Sequence, residues 1–268
     1  MKAKETLAAV ALVFVTTGLL SVRAAEAAAP ASTDTPSADA ILRQMSDKLG
    51  AARKFSFKTR REIDSGQAGG DGLPANARIA VTVQRPDKVV SRAKSPEELH
   101  LLCADGKNLT LSDKRKKFYS IVPMAASLDE LPAKLATIYG FTPPLAEFVI
   151  TDPYQDFVLR AKSITYAGTG TIQTGFLGLK RVPCHRLALP GKLADSELWI
   201  AVGDRLPRRW TATVKRATGN VRITLEFSDW NLAANTREEN FVFSAPKGAM
   251  QIPMMTVTEI EAAHKAGK

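Results

Sequence analysis

The sequence predicts an α+β fold: one large antiparallel sheet with helices packed on its apolar face. Three observations carry this. A single segment of helical period, "ADAILRQMSDKLG", opens the folded part. After it, segment upon segment alternates apolar and polar residues with period two. A block at about 127–160 then breaks the alternation with helix-start signals and clustered apolar residues.

In order along the chain, Ser37 is a candidate N-cap for a helix in which Ile41, Leu42, Met45 and Leu49 share a face and Gly50 supplies the stop. "FSFKTRREI" places Phe55 and Phe57 on one side of a strand, and "RIAVTVQ" sets Ile79, Val81 and Val83 against Arg78, Thr82 and Gln84. The Gly-rich "SGQAGGDGLPAN" between them reads as a long loop. Strands follow at 88–94, 98–104, 107–112 and 115–122, with Asp-Gly in "ADGK" marking a tight hairpin.

In the helical block, Leu131, Leu135 and Ile138 fall on one face with Asp129 as cap, while Thr142-Pro143 and Asp152-Pro153 read as two further helix starts. Leu145, Phe148, Val149 and Phe157 give this block more apolar side chains than a solvated connection needs. Sheet resumes near 163 and runs nearly to the end. Its clearest hairpin is 208–230, where Trp210, Ala212 and Val214 face with Val221, Ile223, Leu225 and Phe227 around the turn "ATGN". A one-residue slip would exchange the apolar and wet faces, so the register is firmly specified.

The N-terminus carries a different message. Lys2 and Lys4 precede a short apolar run, and "AEA" at 25–27 fits a small-x-small cleavage site, so residues 1–27 read as a secretory signal peptide. No cysteine follows the run, which argues against a lipoprotein anchor and for a periplasmic address. Residues 28–36, "AAPASTDTP", read as a disordered linker, leaving 37–268 as one domain. Removing 1–27 takes away Lys2, Lys4, Arg23, Glu5 and Glu26, so 34 basic residues face 25 acidic ones, net +9 over 241 residues. Such a balance favours anionic partners, and an exported chain makes nucleic acid the weaker one. Cys103 and Cys184 are the two cysteines, and an oxidising compartment permits a single bridge between them. Each lies inside a strand, so sequence alone leaves bridge and free thiols both open.

The segments "DGKNLTLSD", "LWIAVGDRLPRRW", "LEFSDWNL" and "FVFSAPKGAMQIP" together resemble a bacterial family of predicted periplasmic proteins catalogued as a domain of unknown function. That family is similar to the lipoprotein-carrier superfamily of LolA and LolB. The resemblance implies an incomplete, strongly curved antiparallel barrel whose apolar concavity is covered by helices. It carries no binding residue over, because no side chain here aligns with the carriers' lid-opening residues, and fold analogy is a weak warrant for function.

Under the carrier reading, acyl chains would lie among Val81, Val83, Trp210, Val214, Ile223, Phe227, Leu135 and Phe148. Under the alternative these side chains form a dry core, each large one contributing roughly 1.5–3 kcal/mol on burial. Two basic turns are candidates for an anionic head group or membrane surface: Lys114, Arg115, Lys116 and Lys117 in "SDKRKKF", and Arg205, Arg208 and Arg209 in "VGDRLPRRW". Both also suit a solvated sheet rim.

His100 with Cys103 and Cys184 with His185 are zinc-type residues. Three apart or adjacent on a strand they face opposite sides, so no metal site and no Cys-His nucleophile is expected. No phosphate loop, nucleophile elbow or His-Glu zinc motif appears. The sequence therefore predicts a non-enzymatic, cofactor-free monomer that binds a lipid or an acylated lipoprotein and carries it through the periplasm. The alternative is a protein-interaction or envelope-sensing module on the same scaffold, and an uncharacterised hydrolase ranks third.

Overall fold

The computed structural model describes residues 37–64, 75–175, 178–217 and 219–266. The signal peptide and linker expected at 1–36 lie outside them, as do most of the Gly-rich loop and part of the 217–220 turn. Helix α1 (Ala38–Gly50) is capped by Ser37, whose Oγ accepts from Ala40 N at 3.4 Å. A meander follows: β1 (Lys54–Ile63), β2 (Ala77–Gln84), β3 (Lys88–Lys94), β4 (Leu99–Asp105), β5 (Asn108–Asp113) and β6 (Phe118–Pro123). At the β4–β5 turn Asp105 Oδ1 accepts from Lys107 N and Asn108 N. Gly106 takes φ +89 there, and a Cβ would run into the Asp87 carboxylate.

The helical block comprises α2 (Leu131–Tyr139), a 3-10 turn (Ala146–Phe148) and α3 (Pro153–Arg160). Two expectations are corrected here. Asp129 does not cap α2: its Oδ1 accepts from Thr151 N at 2.6 Å. Ser127 and Glu130 bond each other reciprocally instead, Ser127 N donating to Glu130 Oε2 and Glu130 N to Ser127 Oγ, a capping box that starts two residues before Asp129. Thr142-Pro143 starts no α-helix, because Leu145 turns left-handed at φ 68 and leaves only the 3-10 turn. Asp152 caps α3 as read, accepting from Gln155 N at 3.1 Å.

Strands β7 (Thr165–Thr174), β8 (Lys180–Leu189), β9 (Ala194–Ala201), β10 (Pro207–Val214) and β11 (Val221–Asn231) complete the second half. The 208–230 hairpin has the expected register, with Trp210 opposite Leu225 and Ala212 opposite Ile223. The chain does not end in sheet alone. Beyond β11 come a second 3-10 turn (Glu238–Phe241), a two-residue strand β12 (Met250–Gln251) and helix α4 (Val257–Ala266), the last without a buried residue.

All twelve strands form one curved, open sheet in the order β12-β6-β5-β4-β3-β2-β1-β11-β10-β9-β8-β7. Every pairing is antiparallel except β12 with β6. The two halves of the meander meet where β1 pairs with β11. Helix α1, the helical block and the inner sides of these strands share one apolar core. On the outer face Val90, Leu101, Cys103 and Phe241 make a smaller cluster, so the segment after β11 crosses the back of the sheet before reaching β6.

Candidate functional site

The inner face is filled unevenly. Over β1, β10 and β11, Phe148 descends from the 3-10 turn with its ring centroid 4.7 Å from Phe227, 5.7 Å from Phe157 and 6.2 Å from Trp210. Phe57 stacks on Trp230 at 4.4 Å. A β-bulge brings that tryptophan in: β11 spends one more residue than β1 between the pairs Lys58–Ser228 and Ser56–Asn231, and Asp229 there takes φ 53. This half is an aromatic plug.

Over β2–β6 the inner side chains are mostly aliphatic or small, including Ile79, Val81, Val89, Ser91 and Ala93, with Phe118 at the β6 edge. Leu128, Leu131, Pro144 and Leu145 of the cover line the space from above. A cavity of about 570 Å³ remains, bordered along the sheet edge by Ile252 and Met254. That volume falls within the roughly 300–1,000 Å³ typical of small-molecule sites. Its walls are largely apolar, with Ser91 and Ser120 among them, and the ionisable His100, Asp113 and Lys116 gather at one end.

That end is an ion-pair network. Lys116 Nζ lies 2.8 Å from Glu98 Oε1 and 3.4 Å from Asp113 Oδ2, and His100 Nε2 lies 2.9 Å from Glu98 Oε2. The Lys116 hydrogen bond holds the Glu98 carboxyl below its usual range. Burial alone would raise Asp113, but the backbone N–H groups of Lys116 and Arg115 outweigh it and hold Asp113 low as well. Glu98, His100 and Asp113 offer three metal-type ligand atoms within 4.8 Å of one another, a set the sequence reading did not assemble because it weighed His100 against the cysteines. The ammonium of Lys116 already bridges the two carboxylates.

Of the eight cavity candidates, Val81 lines the cavity. Val83, Leu135, Phe148 and Phe227 are core residues, Trp210 packs against that core, and Val214 and Ile223 are half-buried; none of the seven is in the lining. The hollow therefore lies on the first half of the sheet, away from the hairpin that sequence favoured. Alternation marks an apolar face but not its depth. Side-chain size carried part of the missing signal, since Phe57, Trp210, Phe227 and Trp230, which pack with Phe148 or with one another, belong to β1, β10 and β11.

The two basic turns do not converge either. Residues 114–117 join β5 to β6 at the end of the sheet where Ile63 meets Ile223, whereas 202–206 join β9 to β10 at the end where Ser56 meets Asn231. Within the first turn Lys116 lines the cavity, Arg115 donates to Ser95 O at 3.3 Å, and Lys114 and Lys117 are exposed. Within the second, Arg208 pairs with Asp204, Arg209 with Glu226 at 2.7 Å, and Arg205 NH1 lies 3.3 Å from His185 Nε2.

Cys103 and Cys184 are both free and buried, in separate clusters on β4 and β8, so the bridge left open by sequence is not formed. Burial pushes each thiol up to about 11, which leaves little thiolate for nucleophilic chemistry. Among the described residues no helix is long and apolar enough to cross a membrane.

A family model described as a predicted periplasmic protein, DUF2092, matches residues 38–255. No curated protein matches the sequence. Among solved structures, an uncharacterised conserved protein from Thermus thermophilus is 12% identical, with 81% of this chain and 98% of that one covered at a TM-score of 0.46. MucB of Pseudomonas aeruginosa, solved with MucA, is 14% identical at a TM-score of 0.41, and the match covers 78% of this chain but 61% of MucB. A LolA superfamily protein from Nitrosomonas europaea is 12% identical, with 78% and 98% covered and a TM-score of 0.33.

Proposed function

We propose that this chain, which belongs to the DUF2092 family of predicted periplasmic proteins, is a binding protein that shelters a hydrocarbon chain, free or attached to a lipoprotein, between β2–β6 and the α2 cover. One observation supports this above the rest: a largely apolar cavity of about 570 Å³ between β2–β6 and the cover, beside the half of the sheet that Phe148 fills. Affinity would come from apolar burial, at roughly 25 cal/mol per Å² removed from water. Release would come from lifting α2. The basic turn at 114–117 stands at the polar end of the cavity, where each cation near an anionic membrane would contribute about 1 kcal/mol before screening.

The test is native mass spectrometry of the protein purified from its own periplasm, beside Ala93→Phe, which fills the hollow. Acyl species on the native protein and none on a folded Ala93→Phe support the reading. An empty native protein that also fails to take up lauroyl amphiphiles overturns it.

A second reading, a protein-interaction module, draws on the exposed Phe118, Ile121, Met250 and Ile252 near the β6–β12 edge. It predicts partner binding that survives Ala93→Phe and is lost when Lys114–Lys117 are neutralised.

A further inference from the structure

The chemistry of the cavity's polar end selects among amphiphiles. Asp113 and Lys116 are the charged side chains in the lining, with His100 opposite Asp113 across the β4–β5 pair. The one lysine is already engaged by two carboxylates, at 2.8 Å from Glu98 and 3.4 Å from Asp113. No lining cation is therefore left unpaired to receive an anion. A phosphate or carboxylate pushed to this end meets Asp113, with Glu98 behind Lys116, beside apolar walls, where like-charge repulsion is screened far less than in water.

The acceptors, by contrast, are not used up. Asp113 Oδ1 takes the N–H groups of Arg115 and Lys116, at 3.0 and 3.1 Å. Its Oδ2 is buried and makes no well-aligned hydrogen bond, although the Lys116 ammonium lies 3.4 Å and His100 Nε2 3.9 Å from it. A buried carboxylate oxygen without a donor is costly, and a ligand that brings one relieves it.

We infer that the cavity takes amphiphiles whose polar end donates hydrogen bonds, a hydroxyl-bearing or ammonium head, in preference to anionic ones, with Asp113 Oδ2 as the acceptor. This rests on the hydrocarbon-binding reading above. It also places the exposed Lys114 and Lys117 outside the recognition step: they face solvent on the turn and do not line the cavity.

The experiment compares three ligands of equal chain length, 1-monolauroylglycerol, dodecylamine and laurate, each displacing a fluorescent apolar probe from the purified full chain below its micellar concentration. A hydrogen bond to a charged acceptor predicts both donors binding on the order of tenfold more tightly than laurate. Laurate within about threefold of either donor, or ahead of it, overturns the inference while leaving hydrocarbon binding intact. Failure of all three to displace the probe overturns the hydrocarbon reading itself. Asp113→Asn, which keeps the turn-capping oxygen, should erase most of the preference. Lys116→Ala, at an exposed position, should widen the dodecylamine margin over laurate by uncovering both carboxylates. A preference unmoved by both variants counts against Asp113 as the acceptor.

Discussion

The two halves of the inner face lie under the same stretch of chain, residues 127–160, and differ in what that stretch finds below it. Over β1, β10 and β11 it meets aromatic rings and sends Phe148 down among them; over β2–β6 it meets mostly aliphatic and small side chains, with Phe118 at the edge, and leaves a void. The filled half anchors the cover, which frees the other half to stay hollow. An interior at ordinary packing density would have closed around either surface. Holding a cavity open thus requires a second contact that fixes the height of the lid, and the aromatic plug is that contact.

The sharpest way to break this contrast is Phe148→Ala. Removing a fully buried ring from the plug should cost about 3–5 kcal/mol in urea unfolding, and probe binding should weaken with it, because the lid loses its footing. Next comes Arg85, which sits at the β2–β3 turn and ties both halves to their cover. Its guanidinium donates to the carbonyls of Ala52 at 3.1 Å, Leu49 at 3.3 Å and Ile150 at 3.0 Å, and also to Val149 O. Arg85→Met strands these carbonyls and should cost about 3 kcal/mol by the same measurement. A loss below a third of that would mean that water replaces the guanidinium.

Glu147 offers a pH-dependent version. Burial pushes it up to about 7, with Asp156 adding to the rise and Arg160 opposing it. The folded chain keeps this proton to about pH 7, whereas the unfolded chain releases it near the ordinary 4.5. Between those values the folded state binds more protons, so this residue's contribution to stability falls as pH rises through the window. Glu147→Gln should therefore raise stability at pH 8 by on the order of 2 kcal/mol and change it little at pH 4. Equal gains at both pH values would show that desolvation of the charged carboxylate is not the cause.

The smallest effect is the most diagnostic. Ala93→Leu adds methylenes to a buried position, which in a packed core costs about 1–3 kcal/mol; facing the hollow, it should stay within about 1 kcal/mol of the native protein while weakening probe binding. A core-like penalty there would mean that the cavity is not the soft half.

Much of this architecture is legible in the residues. The strands, the Ser37 and Asp152 caps and the register of the 208–230 hairpin all follow from local patterns, because each is decided by neighbours in sequence. The position of the hollow is not local. It depends on which inner side chains lie opposite Phe148, a contact between residues 148 and 227 that no period reveals. Trp230 illustrates the same limit: strict alternation from Phe227 sends it outward, and one extra residue at the Asp229 bulge sends it in. The polar end was hidden for a related reason. Glu98, His100, Asp113 and Lys116 come from two strands and two turns and become one network only through the His100–Asp113 pairing.

The segment after β11 has a bearing on the order of assembly. It is pinned behind the sheet by Glu238 to Lys88 at 3.1 Å and by the Cys103 thiol to Phe241 O, then reaches β6, where Met250 N donates to Lys117 O and Ile252 N to Tyr119 O, both at 2.8 Å. Ile252 and Met254, which finish the cavity wall, therefore arrive some 130 residues after the strand they seal. A chain emerging N-terminus first has its trough and the 127–160 cover in place well before this border, so the β6 edge is the part that waits for residues 250–254.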